Sequence, residues 1–267
     1  MRNIALKLRY IGAVYSGWQR QPNSVTVQET LEDAIREILR EEVSVTGCSR
    51  TDSGVHALEY VCNFKSGTKI PPEKLPLALN SSLPDDISVM EAWAAPDDFH
   101  ARFSSTGKRY LYRVRNSRIR DPFLSGLCWQ IPYKLDTSKM EEAAAPFIGR
   151  HDFSGFMSSG GAQKTTTRTI SDISVTVPCE NRETIDIEVE ADAFLYNMVR
   201  IIAGTIIYAG WGKIDPHRIP AIIDAGDRKL AGVTAPARGL FLKQVFYDGQ
   251  PRRSENDSSG NLRVTLY

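Results

Sequence analysis

Cysteine, histidine, net charge and long apolar runs are all scarce in this chain, and each scarcity removes a class of answer. Of 267 residues, four are cysteine and four histidine. The cysteines stand at positions 48, 62, 128 and 179 without a C-x-x-C pair, which excludes a clustered zinc site and a disulfide framework and fits free thiols in a reducing cytoplasm. The histidines (His56, His100, His151 and His217) show no zinc-ligand spacing either. A formal charge of +1 gives no global attraction to polyanions, so a nucleic-acid partner would have to be met by positive charge gathered locally. No apolar run approaches the roughly 18 residues a membrane span needs, and Met1 to Asn3 lead straight into an alternating pattern instead of an export signal. The expectation is a soluble cytoplasmic protein with no membrane partner.

What is present suits one large domain or two modest ones, with 42% hydrophobic and 24% charged residues. Ile4, Leu6, Leu8 and Tyr10 alternate with polar or small residues, the period of a strand with one buried face. Thr26 and Glu29 form a capping box ahead of Leu31, Ile35, Ile38 and Leu39, which predicts a helix over 27–41. Strands are expected at 43–46, 58–64, 87–93, 110–115, 173–177, 185–189 and 240–247, and helices at 71–82, 137–148, 196–208 and 216–225. Strands outnumber what single βαβ crossovers require, so the predicted class is α+β with a largely antiparallel sheet. The polar segment 251–261 reads as a tail, with Leu262 to Tyr267 adding a strand.

The loop Ser49-Arg50-Thr51-Asp52-Ser53-Gly54-Val55-His56-Ala57 places a carboxylate two residues from a guanidinium, beside a turn-forming glycine and between expected strands. Loops on rigid strands are common seats for catalysis. If Arg50 folds over Asp52, the paired cation favours the ionised acid and keeps a nucleophile or base charged when substrate excludes water. The same residues also suit an Asx-turn with a surface ion pair. A second feature is basic: Arg102, Lys108, Arg109, Arg113, Arg115, Arg118 and Arg120 occur with no acid between them, and Tyr110 and Tyr112 are interleaved. Such a strip can track phosphates and stack bases, or it can guard a solvated strand edge. Arg200, set among Met198, Val199, Ile201 and Ile202, requires a partner such as Asp52 or phosphate, or else a solvated helix face.

Taken in order, several segments carry a family resemblance. R-T-D-x-G-V-H-A around Asp52 resembles the signature loop of the tRNA pseudouridine synthase A family. Tyr15-Ser16-Gly17-Trp18-Gln19-Arg20-Gln21 is similar to that family's Y-x-G-W-Q-R-Q segment, and Ser24 to Leu31 to the stretch behind it, with a small insertion. Asp97-Asp98-Phe99-His100-Ala101-Arg102-Phe103-Ser104 and Ala193-Phe194-Leu195-Tyr196-Asn197-Met198-Val199-Arg200 resemble its D-D-F-H-A-R-F-S and A-F-x-x-x-M-V-R blocks. Ser49 departs from the glycine that bacterial members usually place before the arginine, which bears on substrate range more than on reaction type.

The resemblance implies an isomerase that converts uridine to pseudouridine in the anticodon stem and loop of tRNA, at tRNA positions 38, 39 and 40. Position by position, it implies Asp52 as the catalytic aspartate, Arg50 as its arginine partner, Tyr110 as the active-site tyrosine and Arg200 as a second active-site arginine. Substrate binding is expected from Tyr110, His56, Arg102, Arg109, Arg113 and Arg115. The implied architecture is two similar α+β subdomains sharing one sheet around a central basic cleft, divided as 1–105 with the Asp52 loop, 106–250 completing the cleft, and a polar tail at 251–267. A homodimer is implied as well. The isomerisation breaks the N1 to C1′ bond, turns the uracil and joins C5 to C1′ without net oxidation or hydrolysis, so no cofactor or metal is expected. A glycoside hydrolase would need a second placed carboxylate, which the loop lacks. A bare RNA-binding module would have no use for Asp52.

Overall fold

The computed structural model describes residues 1–160 and 165–248. The polar segment and the strand expected beyond residue 250 lie outside them. Among the described residues, ten strands form a single sheet, and the class is α+β with mostly antiparallel pairing, as predicted.

The first part of the chain builds β1 (Arg2–Tyr10), α1 (Val27–Leu39), a two-residue β2 (Thr46–Gly47), β3 (His56–Ser66), α2 (Leu75–Asn80) and β4 (Ile87–Ala95). Thr26 caps α1 as its pattern predicted, its side chain accepting from the Glu29 amide, and the helix buries Leu31 and Ile35 completely. The segment expected as a strand over 43–46 contributes only Thr46 to the sheet. The long β5 (Ser105–Asn116) then leads to β6 (Trp129–Ile131), α3 (Thr137–Ala144), β7 (Gly149–Asp152), β8 (Thr167–Thr176), β9 (Thr184–Ala191), α4 (Met198–Gly210), α5 (Ile219–Ala225) and β10 (Leu240–Tyr247). Helix α3 stops short of the expected 148 because Pro146 lacks the amide that would continue the ladder, and a 3₁₀ turn follows.

The main strand order is β4-β1-β3-β10-β5-β9-β8-β7. The last strand therefore lies between two early ones. It pairs antiparallel with β5 and makes a short parallel contact with β3 at Phe241–His56 and Leu242–Ala57. This seam brings the loop before β3 alongside residues from the far end of the chain.

Alternation along β5 decides what faces that region. Tyr110, Tyr112 and Val114 point one way, beside Val189, Ile187 and Ile185 of β9, and α4 packs against this strand. Arg109, Arg113 and Arg115 point the other way, beside Glu190, Asp186 and Thr184. The interleaved tyrosines and arginines of the strip thus stand on opposite faces of one sheet, a consequence of the two-residue period that no count of charges reveals.

Candidate active site

The loop from Cys48 to Val55 is held by the segment that precedes α1. The Thr51 carbonyl accepts from the Trp18 amide at 3.1 Å, and the Thr51 hydroxyl lies 2.9 Å from that of Tyr10. Ser53 Oγ and the Gly54 amide both donate to the Tyr15 carbonyl, at 3.2 and 3.3 Å. The Asp52 carbonyl accepts from Val55 at 3.1 Å, closing a tight turn. Gly17, at φ +93°, lies so near that a Cβ there would stand 2.4 Å from the Thr51 oxygen. These bonds fix the backbone on both sides of Asp52 while its carboxylate stays 31% exposed.

Against this loop stands Arg200, in the first turn of α4. Its NH1 donates to Asp52 Oδ2 at 3.3 Å and to Asn197 Oδ1 at 2.6 Å, and its Nε donates to the Ala235 carbonyl at 2.7 Å. The pairing corrects one expectation: the cation on Asp52 is Arg200, 148 residues away, and not Arg50. Arg50 is exposed, and among the described residues it makes no ion pair. Burial raises the Asp52 carboxyl above its ordinary value, and the Arg200 charge and hydrogen bond offset part of that rise.

Tyr110 rises from β5 into the same region, 6% exposed, with its hydroxyl 3.3 Å from Ser49 Oγ and its ring edge-on to Phe194 at 4.9 Å. Burial pushes its phenol well above the usual range, and the Asp52 charge adds a smaller push, so the hydroxyl stays protonated and able to donate. Tyr112, one turn of the pleat away, is spent on structure, donating to the Pro236 carbonyl at 2.9 Å.

The remaining expected residues divide. His56 is 1% exposed, accepts at Nδ1 from the Gly12 amide (3.0 Å) and faces the Arg238 carbonyl with Nε2 (3.2 Å). A ring that accepts at Nδ1 must carry its proton on Nε2, and burial lowers its pKa, so His56 is a neutral tie between backbone segments with no free edge. Both ring nitrogens expected to meet substrate are engaged with backbone instead. Three arginines of the strip are likewise committed. Arg109 meets Glu190 at 2.6 Å, Arg113 grips both oxygens of Asp186 at 2.8 and 2.9 Å, and Arg115 meets Glu183 at 2.6 Å. Their acids come from the β9 strand and the turn before it, 68 to 81 residues further along, so a stretch that holds no acid in sequence is neutralised in space. Arg102, Arg118 and Arg120 are exposed instead, and none of them makes an ion pair among the described residues.

Sequence reasoning missed Asn197, Phe194 and Ala235. Asn197 sits just before α4 with a left-handed backbone at φ 62°, and an asparagine at a helix boundary was the signal for it. Ala235 acts through its carbonyl, which no side-chain pattern can betray.

Compared with known proteins, the chain matches a family model described as tRNA pseudouridine synthase over residues 8–104 and 143–248. It is 49% identical over 247 residues to a tRNA pseudouridine synthase A of Thermoanaerobacter sp., covering 92% of this chain and 100% of that protein. A tRNA pseudouridine synthase A of Acetivibrio thermocellus is 47% identical over 247 residues with the same coverage. Among solved structures, an archaeal box H/ACA sRNP Nop10-Cbf5 complex aligns over 90% of this chain and 48% of that chain, with a TM-score of 0.36 and 12% identity.

Proposed function

The chain belongs to the tRNA pseudouridine synthase family, and from that premise we propose that it isomerises uridines of the tRNA anticodon stem and loop, with Asp52 as the carboxylate that acts on the sugar. The observation that carries this reading is the pairing of Asp52 with Arg200, 148 residues away, beside a Tyr110 hydroxyl that contacts Ser49 of the same loop. A partly exposed carboxylate opposite an anchored guanidinium suits attack at C1′, or removal of a sugar proton in a glycal route. The uracil then turns, C5 joins C1′, and the proton lost from C5 is balanced by one taken up at N1. In this reading Tyr110 relays that C5 proton: its hydroxyl oxygen accepts it as the phenol's own proton passes to Ser49 Oγ or solvent. The target base must leave its stack to reach a site this recessed.

The exposed cations Arg50, Arg102, Arg118 and Arg120 are assigned to the RNA backbone in this reading. It also takes residues 1–105 and 106–250 as two subdomains meeting at the parallel seam between β3 and β10, and the protein as a cytoplasmic homodimer. No described helix is long and apolar enough to cross a membrane. The test is twofold. The purified protein should release tritium from uridine C5 of tRNA with no added nucleotide or metal cofactor. Cells lacking the gene should lose pseudouridine from the anticodon arm, restored by the native gene and not by Asp52→Asn. Unchanged pseudouridine in those cells would refute the assignment.

A further inference from the structure

Three acceptors surround the Arg200 guanidinium, and the two neutral ones hold it more closely than the acid does. The Asn197 and Ala235 oxygens lie at 2.6 and 2.7 Å, whereas Asp52 lies at 3.3 Å and shares NH1 with Asn197. Asn197 is itself fixed at three points. Its backbone is left-handed, its Nδ2 donates to Ser158 Oγ at 2.9 Å, and its neighbour Tyr196 accepts from the Ser158 amide at 3.1 Å. A guanidinium can only donate, so Arg200 takes the amide oxygen of Asn197 and leaves Nδ2 to the Ser158 hydroxyl, which accepts it.

We propose that Asn197 is a positioning residue: it draws NH1 away from Asp52, so that Arg200 faces the carboxylate without closing on it. This rests on the reading of Asp52 as the catalytic carboxylate. A guanidinium released from Asn197 is still held by Ala235 through Nε, and its remaining freedom is rotation toward Asp52, the nearest free acceptor of charge-assisted hydrogen bonds. The charged or titratable groups bearing on Asp52 are few. Arg200 comes from α4 and Tyr110 from β5, while Arg50 is exposed on the loop itself and Arg238 is exposed on the turn beside Gly54.

Two substitutions act in opposite senses on one readout. Asn197→Gly keeps the left-handed backbone and deletes the acceptor, so Arg200 closes on Asp52, and the acid limb of the single-turnover pH profile moves to lower pH. Asn197→Asp keeps shape and backbone but sets a second anion on the same NH1, which moves that limb to higher pH. In both, kcat falls by roughly tenfold to a hundredfold while KM for tRNA stays within about twofold, because the change lies at the reacting group and not on the phosphate contacts. Ser158→Ala, which frees the amide to turn, should fall between native and Asn197→Gly. Tritium release from C5-labelled tRNA supplies the rates, and thermal melting confirms folding. Should the glycine variant fail to fold, the direction of the limb in Asn197→Asp decides alone. Limbs unmoved in the folded variants, or moved the same way, overturn the inference. A native enzyme without turnover, or an active Asp52→Asn, would overturn the underlying reading instead, and those controls belong in the same experiment.

Discussion

Replacing Gly17 by alanine should disable the site without touching a group that meets substrate. The added Cβ would stand 2.4 Å from the Thr51 carbonyl oxygen, 3.2 Å from the Asp52 carbonyl carbon and 3.3 Å from the Ser53 nitrogen. All three are backbone atoms, so none can swing aside as a side chain would. The loop must retreat by roughly 0.6 Å or more before the closest contact becomes tolerable, and the Trp18 to Thr51 hydrogen bond stretches with it. A displacement approaching 1 Å at a reacting group lowers the rate on the order of a hundredfold. Alanine at φ +93° also costs about 1–3 kcal/mol of backbone strain, which lowers the melting temperature by roughly 3–10 °C in a chain of this size. Gly212→Ala separates the two effects, for Gly212 has φ +77° with nothing within 4 Å of its built Cβ. That variant should share the loss in melting temperature and keep its activity. Single-turnover tritium release and calorimetry on both variants are the assays. Gly17→Ala with a rate within about threefold of native would refute the claim that this contact sets the position of Asp52.

Three further outcomes are expected. Asp52→Asn should abolish turnover yet leave tRNA affinity within about tenfold. Because the folded carboxyl is raised above its unfolded value, the native fold gains stability as pH falls and Asp52 takes up its proton, so the asparagine variant should melt higher than native near pH 7.5 and lose that advantage progressively as pH falls through the folded pKa, fully only below about pH 3, where the unfolded aspartate is also neutral; a lower melting temperature at pH 7.5 would contradict this. Arg113→Ala should cost about 2 kcal/mol of stability by stranding Asp186, with no change in the salt slope of tRNA binding, whereas Arg118→Glu with Arg120→Glu should flatten that slope by up to roughly 0.7–0.9 per lost phosphate contact and leave melting unchanged; a slope change in Arg113→Ala would return that arginine to the RNA surface. Tyr110→Phe should fold and bind tRNA while losing most product, since the ring against Phe194 remains and only the hydroxyl near Ser49 goes; near-native turnover would rule out an essential hydroxyl.

What could be read from the sequence followed the range of the interactions involved. Periodicity located β1, α1, β4, β9 and β10 within a few residues, because burial of one face is written into the neighbouring positions. The three-residue β6 and four-residue β7 went unseen, being too short to show a period. Motif order identified the Asp52 loop, Tyr110 and Arg200 as members of one site. It leaves the partners within that site open, with Arg50 beside Asp52 in sequence and Arg200 suited to Asp52, phosphate or a solvated face, and the fold delivers the arginine from α4. The same limit hid the ion pairs of Arg109, Arg113 and Arg115, whose acids in the close pairs arrive from β9 and the turn before it.

Two carboxylate–guanidinium pairs in this chain differ in geometry, and the proposed role of Asp52 accounts for the difference. Arg113 meets Asp186 fork to fork, at 2.8 and 2.9 Å, and both carboxylate oxygens are occupied. Such a pair is stable because nothing further is asked of it. Arg200 touches one oxygen of Asp52, at 3.3 Å, and its other close bonds go to neutral oxygens. Had Arg200 no acceptor but Asp52, the bidentate geometry seen at Asp186 would be its resting state, and the lone pairs needed at C1′ would be tied up. Holding the cation elsewhere leaves one carboxylate oxygen free and lets burial keep the group more basic than an exposed aspartate. On the proposed reading the site gives up part of an ion pair's stability so that Asp52 remains available to react, the trade expected of a nucleophile or base and not of a structural salt bridge.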